Sequence, residues 1–165
     1  MAQTDGLAET LSSSRLFEGV SAAEVLKVLP LCQTLSVAKG KAIFREGEPA
    51  KTIYLVRTGR AAVEMSLERP DGSTARPTVV ASISPREAFG WSALVQPHVL
   101  TLSAKAMLAT ELVLIEGAGL RRLLDRSPRL GYRVMNNVAT LLSERLYGTI
   151  PRQFHESFLP CGPRS

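Results

Sequence analysis

The order of apolar and polar positions divides the chain into a helical beginning, a long β-type centre and a helical end. In the beginning, apolar residues recur at the three- and four-residue spacing of a helix over residues 21–31. Ser21 and, three residues later, Glu24 form the capping box that starts such a helix. A shorter helical turn is predicted just before it, ending at Gly19.

From Leu35 the apolar positions alternate with a period of two, which predicts strands. Turn sequences rich in Gly and Pro separate these segments. The last three predicted strands cover residues 78–83, 100–107 and 111–115. Short strands at roughly ten-residue spacing are typical of a sandwich or barrel, here with about eight strands.

The helical period returns near Gly117. A short helix is predicted around residues 120–124, and Ser127 and Pro128 then start a longer helix that runs to about Tyr147. One apolar stripe follows this second helix: Leu130, Val134, Val138, Leu141, Leu142 and Leu146. That stripe either packs on the barrel or forms a dimer seam over residues 130–146, and the dimer is the favoured interpretation.

These elements predict a mainly β fold, a jelly-roll barrel (double-stranded β-helix) with N-terminal helices and two C-terminal helices. The 165 residues suit one domain with a core of its own. We expect that domain over residues 14–148, after a flexible N-terminus (1–13) and before a loose tail (149–165).

The net charge of +5 invites a nucleic-acid function, but its distribution argues against one. Residues 1–117 carry 12 basic and 12 acidic side chains, whereas residues 118–165 carry 8 arginines and 3 acidic side chains. We expect the excess to form a solvated surface or to dock an acidic protein partner, not to read DNA. The arginines of this cluster are Arg121, Arg122, Arg126, Arg129 and Arg133.

The composition and the order of apolar residues also argue against a disordered, a secreted or a membrane-spanning protein. A hydrophobic content of 45% is too high for disorder. The sequence shows no signal peptide and no apolar run of the roughly 20 residues that span a bilayer, so we expect a cytoplasmic protein without membrane contact. Cys32 and Cys161 are expected to be two free thiols.

Catalytic signals are weak, and no enzyme, metal or cofactor is predicted. The only histidines, His98 and His155, lack any zinc-site spacing. Ser92 stands in a segment like a nucleophile elbow whose closing glycine is replaced by Leu94. The acidic pair at residues 46 and 48 flanks a turn glycine and is interpreted as solvated.

The informative segment is residues 89–95, between two predicted strands. Gly90 opens a short apolar stretch that can make one helical turn, whose N–H groups could receive an anion. The hydroxyl groups of Ser92, Thr101 and Ser103 could add donors. The alternative is a plain connector packed on the barrel.

Two stretches resemble the cyclic nucleotide-binding domain of the catabolite activator protein, protein kinase regulatory subunits and gated channels. The resemblance covers residues 14–146. The first stretch comprises Gly40-Lys-Ala-Ile43, Glu46-Gly47-Glu48, Ile53-Tyr-Leu-Val56 and Gly59-Arg-Ala-Ala-Val63. The second comprises Phe89-Gly90, Ala93-Leu94, Thr101-Leu-Ser-Ala-Lys-Ala106, residues 112–115 and the helix at Leu120–Leu124.

The resemblance implies that residues 89–95 are a phosphate-binding cassette for cAMP or cGMP. Two positions depart from the family pattern: Trp91 replaces a ribose-binding glutamate, and Leu100 stands about where the phosphate-binding arginine is expected. Trp91 could stack on the ligand or fill the pocket. The candidate ligand-binding residues are Phe89, Gly90, Trp91, Ser92, Ala93, Leu94, Val95, His98, Leu100, Thr101 and Ser103.

The resemblance also implies a regulatory role, in which the ligand signals through the last helix. Only about 18 residues follow Tyr147, so a DNA-binding helix-turn-helix is not expected. One alternative is a ligand-independent interaction or dimerisation module whose pocket is closed by Trp91 and Leu100. A second is a metal-dependent enzyme on a jelly roll, which the scarcity of histidines opposes.

Overall fold

The computed structural model describes residues 2–66 and 76–157. The strands are β1 (Cys32–Val37), β2 (Ala42–Phe44), β3 (Thr52–Thr58), β4 (Ala61–Met65), β5 (Thr78–Ile83), β6 (Ala88–Phe89), β7 (Ser103–Ala106) and β8 (Thr110–Glu116). The α-helices are α1 (Ala2–Ser12), α2 (Ala22–Leu26), α3 (Gly117–Arg126) and α4 (Pro128–Ser157). Short 3-10 turns occupy Arg15–Phe17, Leu29–Leu31 and Trp91–Ala93.

The strands form two antiparallel four-stranded sheets, ordered β1-β8-β3-β6 and β2-β7-β4-β5. Apolar side chains from both sheets fill the core between them, and the fully buried ones include Ile53, Leu55, Ile83, Leu112 and Ile115. This architecture confirms the predicted mainly β jelly roll with flanking helices. The alternating pattern of β3 and β8 produces it, because every second side chain reaches the inner face.

The predicted capping box is present, since Glu24 N donates to Ser21 Oγ and the Glu24 carboxylate accepts from the Ser21 backbone. The predicted helix over residues 21–31 is divided into α2 and a 3-10 turn. Pro30 lies at the start of that turn, where its missing N–H interrupts the α-helical hydrogen bonds.

Both termini differ from the sequence prediction. Helix α1 occupies Ala2–Ser12, where a flexible segment (1–13) was expected. Leu11 is fully buried and Leu7, one turn earlier, packs on the same core, a contact that the polar neighbours conceal in the sequence. Helix α4 continues past Tyr147 to Ser157, where the sequence predicted an end at about Tyr147 and a loose tail. The division into a 14–148 domain and a 149–165 tail stays a prediction.

The predicted strand over residues 100–107 begins only at Ser103. Leu100 instead pairs with the turn after β2: its N–H donates to Glu48 O at 2.9 Å, and its carbonyl accepts from Gly47 N at 2.8 Å. Leu100 is thereby held at the edge of the barrel as part of a loop.

Helix α4 presents two different faces. Leu130, Val134, Val138 and Leu141 are buried on the chain's own core. The dimer seam predicted from this stripe is therefore wrong for these four residues, since they are already buried within the domain. Exposed apolar side chains lie on other faces of the helix: Tyr132, Met135, Leu142, Leu146 and Tyr147.

Cys32 is a free thiol, as predicted, and its Sγ donates to Val28 O at 3.3 Å. Burial raises the pKa of this thiol to about 12, so it stays protonated and unreactive at neutral pH. Cys161 lies outside the described residues. Among helices in the described ranges, none combines the length and apolar content that crossing a bilayer requires.

Candidate ligand-binding site

A cavity of about 570 Å³ lies between the barrel, residues 89–95 and helix α4. Its size suits a small organic ligand. The lining residues are mostly apolar: Phe44, Val63, Met65, Val80, Ala81, Phe89, Gly90, Trp91, Ser92, Val95, Leu100, Thr101, Leu102, Leu142, Arg145 and Leu146. The barrel and the last helix therefore both contribute walls to one cavity.

Three aromatic rings pack together at the inner wall of the cavity. Ring centroids lie 5.1 Å apart for Phe44 and Tyr54 and 5.3 Å apart for Tyr54 and Phe89. Burial raises the pKa of Tyr54, whose hydroxyl stays neutral. This cluster gives residues 89–95 a rigid foundation on β3 and β6.

The turn predicted after Gly90 is present as the 3-10 turn Trp91–Ala93. Gly90 has φ +82°, and a Cβ there would lie 3.0 Å from Thr52 O and 3.0 Å from Tyr54 Cδ2. Only glycine fits this conformation without strain. The Ala93 and Leu94 N–H groups donate to Gly90 O and Trp91 O, so these two amides are used within the turn itself.

The back of this turn is fixed to α3. Arg121 Nη1 donates to Ala93 O, and Gly117 N donates to Lys51 O at 2.8 Å. A Cβ at Gly117 would approach both Ala93 Cβ and Lys51 O to 3.0 Å. A displacement of the turn would therefore move the start of α3.

Seven of the eleven candidate residues line the cavity: Phe89, Gly90, Trp91, Ser92, Val95, Leu100 and Thr101. Leu94 instead lines a groove with Arg121 and other α3 residues. His98 supports the turn, with Nδ1 3.2 Å from Ser92 O. Ser103 Oγ accepts from Glu46 N at 3.0 Å, so its hydroxyl belongs to the turn after β2. The assignment of all eleven as ligand contacts stays a prediction.

Trp91 is the only tryptophan of the chain. Its indole Nε1 is buried and, among the described residues, has no hydrogen-bond partner. A buried donor without an acceptor costs about 1–3 kcal/mol, which the packing of the Trp91 ring has to offset.

Arg145 is the residue that the sequence analysis missed. Its guanidinium lies over the Trp91 ring, 5.7 Å from the centroid, and Nη2 donates to Ala88 O at 2.5 Å. Burial lowers the pKa of Arg145, and the nearby Glu87 carboxylate partly opposes that shift. A sequence signal existed, because Arg145 continues the buried stripe of α4 four residues after Leu141.

The cavity offers apolar walls that include the Trp91 ring, two exposed or half-buried hydroxyl groups and one guanidinium. These groups suit a small, partly aromatic ligand with an anionic group. Within the described ranges, no cluster of three or more His, Cys, Asp or Glu residues could hold a metal ion.

Comparison with known proteins agrees with this geometry. The sequence model of the family described as cyclic nucleotide-binding domain matches residues 34–127. The cyclic AMP receptor protein of Thermus thermophilus is 30% identical over 136 residues, which are 82% of this chain and 59% of that protein. The solved structure of the catabolite activator protein from the same organism has a TM-score of 0.66 and covers 88% of this chain and 64% of its own.

A Rhodopseudomonas palustris protein, named as a potassium channel protein, is 27% identical over 72% of this chain, which spans only 27% of that relative's length. A cyclic nucleotide-binding domain structure from Methylobacillus flagellatus has a TM-score of 0.75 at 20% identity, with 97% of this chain and 87% of its own covered, and supports the fold alone. The family match spans more than half of the chain and includes both sheets and the turn after Gly90. The chain belongs to the cyclic nucleotide-binding domain family.

Proposed function

We propose that this domain is a non-catalytic sensor that binds a cyclic mononucleotide, cAMP or cGMP, in the 570 Å³ cavity and reports its occupancy through α4. The observation that carries the proposal is the composition of the cavity wall. Residues of the turn after Gly90 form one side, and Leu142, Arg145 and Leu146 of α4 form another. A ligand between them contacts both, so its binding energy depends on where α4 lies.

The apolar walls suit a purine, and the Trp91 ring offers a stacking surface for a base or ribose. Ser92 and Thr101 offer hydroxyl groups at the same wall. Family membership supports a cyclic nucleotide among the anionic aromatic ligands that such a cavity could hold.

Signalling would follow from the contacts of α4 with the rest of the domain. Asn137 Nδ2 donates to Leu16 O at 3.0 Å and to Glu18 O at 2.9 Å, which fixes the middle of the helix. Beyond that point, Arg145 is bound to Ala88 O beside the cavity. A ligand that displaces this end of α4 would therefore bend or rotate it about a fixed middle.

Calorimetric titration with cAMP and cGMP tests the proposal, with linear AMP as the matched control. If Kd is micromolar, a free ligand concentration of about 100 times Kd raises the free energy of unfolding by roughly 2.7 kcal/mol. Thermal unfolding in the same solutions then shows a higher Tm. Absence of both heat and stabilisation at millimolar cAMP and cGMP would overturn the proposal.

A ligand-independent interaction module is the second candidate. Leu100 is 5% exposed at the cavity wall, and Trp91 occupies the position where the family pattern implies a ligand-binding glutamate. The exposed arginines Arg122, Arg126 and Arg129 then form a surface for an acidic protein partner. The titration separates the two candidates, because only the sensor responds to nucleotide.

A second copy of the chain is a further proposed partner, through the exposed face of α4. Tyr132, Met135, Leu142 and Leu146 follow the alternating three- and four-residue spacing of a coiled-coil seam if the exposed Ala139 is included. Two copies would bury this stripe against each other and bring the two cavities under one helix pair.

A further inference from the structure

We propose that Arg145 of α4 makes the cationic contact with the ligand phosphate, a task for which residues 89–100 offer no arginine or lysine. This inference rests on the proposed function and names the residue that selects the anionic part of the ligand. Among the described residues that line the cavity, Arg145 is the one with a charged side chain.

The guanidinium is already held beside the turn that would receive the phosphate. Nη2 donates to Ala88 O, directly before Phe89, and the guanidinium carbon lies 5.7 Å from the centroid of the Trp91 ring. A guanidinium presents its N–H donors in a fixed fork that matches the oxygens of a phosphate. These contacts reduce the conformational freedom that binding would otherwise remove.

The electrostatic environment favours an anion at this position. The guanidinium has been taken largely out of water, and burial lowers the pKa of Arg145 in agreement with that desolvation. Glu87 is the acidic neighbour that stabilises the charge, and its carboxylate also accepts from Ser84 N at 2.8 Å. The positive charge of Arg15 acts in the opposite direction and lowers the pKa of Arg145.

Placement on α4 has a consequence for specificity. A phosphate-binding arginine on the barrel would hold the ligand whether or not α4 is in place. Arg145 instead binds the phosphate from α4. The same contact therefore contributes to ligand affinity and stabilises α4 in one position. The ligand class is therefore a cyclic nucleotide monophosphate, selected over the neutral nucleoside by a helix residue.

The test compares cAMP with adenosine, which lacks the phosphate, on wild type, Arg145→Gln and Arg145→Lys. Arg122→Gln is the control, since Arg122 is an exposed arginine away from this cavity. Calorimetry gives the Kd values, and the fluorescence of Trp91, the only tryptophan, reports binding independently.

We expect Arg145→Gln to weaken cAMP binding roughly 10- to 150-fold, the range for a charged hydrogen bond, and adenosine binding less than about threefold. Arg145→Lys keeps the charge but loses the fork, so it should fall between wild type and Arg145→Gln, and it carries the test if Arg145→Gln does not fold. Arg122→Gln should bind as wild type.

Two results would overturn the inference while leaving the sensor proposal intact: cAMP binding unchanged in Arg145→Gln, or equal losses for cAMP and adenosine, which would indicate a packing role. Failure of the wild type to bind cAMP and cGMP is a different result, which overturns the proposed function and this inference with it.

Discussion

Gly90 shows at the scale of one residue how the site depends on backbone geometry. Its φ of +82° is in the left-handed region, and the space beside its Cα is closed by Thr52 O and Tyr54. Gly47 has a similar φ, +83°, but a Cβ there would meet nothing within 4 Å. The two glycines therefore share the conformational requirement and differ only in the steric one.

We expect Gly90→Ala to lower the free energy of unfolding by about 2 kcal/mol and Gly47→Ala by about 1 kcal/mol. Both variants place an alanine at a positive φ, which is strained, but only in Gly90→Ala does the new Cβ also approach a backbone oxygen. Urea denaturation measures both values. Only Gly90→Ala should also weaken ligand binding, since it displaces the turn that carries Trp91. Equal costs at the two positions would contradict the steric argument.

Trp91 and Arg145 mark the limit of what single residues reveal in the sequence. The departure at Trp91 from the family pattern was visible without a structure, as was the position of residues 89–95 between strands. The neighbour of Trp91 was not visible, because Arg145 is 57 residues from Ala88, its carbonyl acceptor, and reaches it only through the packing of α4. Side-chain direction also escaped prediction at Ser103, whose hydroxyl faces a different turn.

Helix α4 is the element on which the proposed signalling depends, and two side-chain contacts hold it to the N-terminal part of the chain. Asn137 binds the carbonyls of Leu16 and Glu18. Arg15 and Glu144 form an ion pair with Nη1 and Oε2 2.8 Å apart. The first contact satisfies the carbonyl of the buried residue Leu16 as well as the exposed Glu18 carbonyl, whereas the ion pair is open to solvent, so the two should differ in their effect on stability.

We expect Asn137→Ala to lower the free energy of unfolding by about 1–2 kcal/mol, because two carbonyl acceptors lose their donor. Asn136→Ala is the matched control: Asn136 is the preceding residue of the same helix and is exposed, so its replacement should change stability by less than about 0.5 kcal/mol. Thermal and urea unfolding of both variants check this. An equally small effect at both positions would mean that Asn137 does not fix α4.

The Arg15–Glu144 pair predicts a pH dependence with a definite sign. The hydrogen bond from Arg15 lowers the pKa of Glu144 below its ordinary value. A carboxylate whose folded pKa is depressed adds stability above its unfolded pKa and loses it as pH falls through the folded pKa. The contribution should therefore be complete at pH 7, begin to fall near the ordinary glutamate pKa of about 4.3 and vanish only at a pH below the depressed folded pKa.

Glu144→Gln isolates this effect when its stability is compared with that of wild type at pH 7 and at pH 3. The difference should be present at pH 7 and shrink at pH 3. The pair is half exposed, so high salt should reduce the difference at pH 7 as well. A difference that grows on acidification would contradict the assignment.

At the scale of the whole molecule, some elements are determined by short stretches of sequence and others by contacts between residues that are distant in sequence. The strand regions were predictable because alternation and turn residues act over a few positions, as in β3, β4 and β5. The sheets followed from the family resemblance. The beginning of the chain was not predictable, since α1 gains its stability from the contact of Leu11 with a distant core. The sequence predicted a pocket at residues 89–95 but not the wall that α4 adds to it, because α4 reaches the pocket only through contacts with residues far away in sequence.

The exposed apolar face of α4 predicts that two copies of the chain form a dimer. Met135 is 38% exposed and is the second residue of the stripe from Tyr132 to Leu146, away from the cavity lining. We expect wild type to sediment as a dimer at micromolar concentration and Met135→Glu to weaken association at least roughly tenfold, since each copy would bury an unpaired carboxylate. Asn136→Glu, an exposed position next to the stripe, is the matched control and should remain dimeric. A monomeric wild type, with or without cAMP, would show that this face of α4 is not a dimer seam.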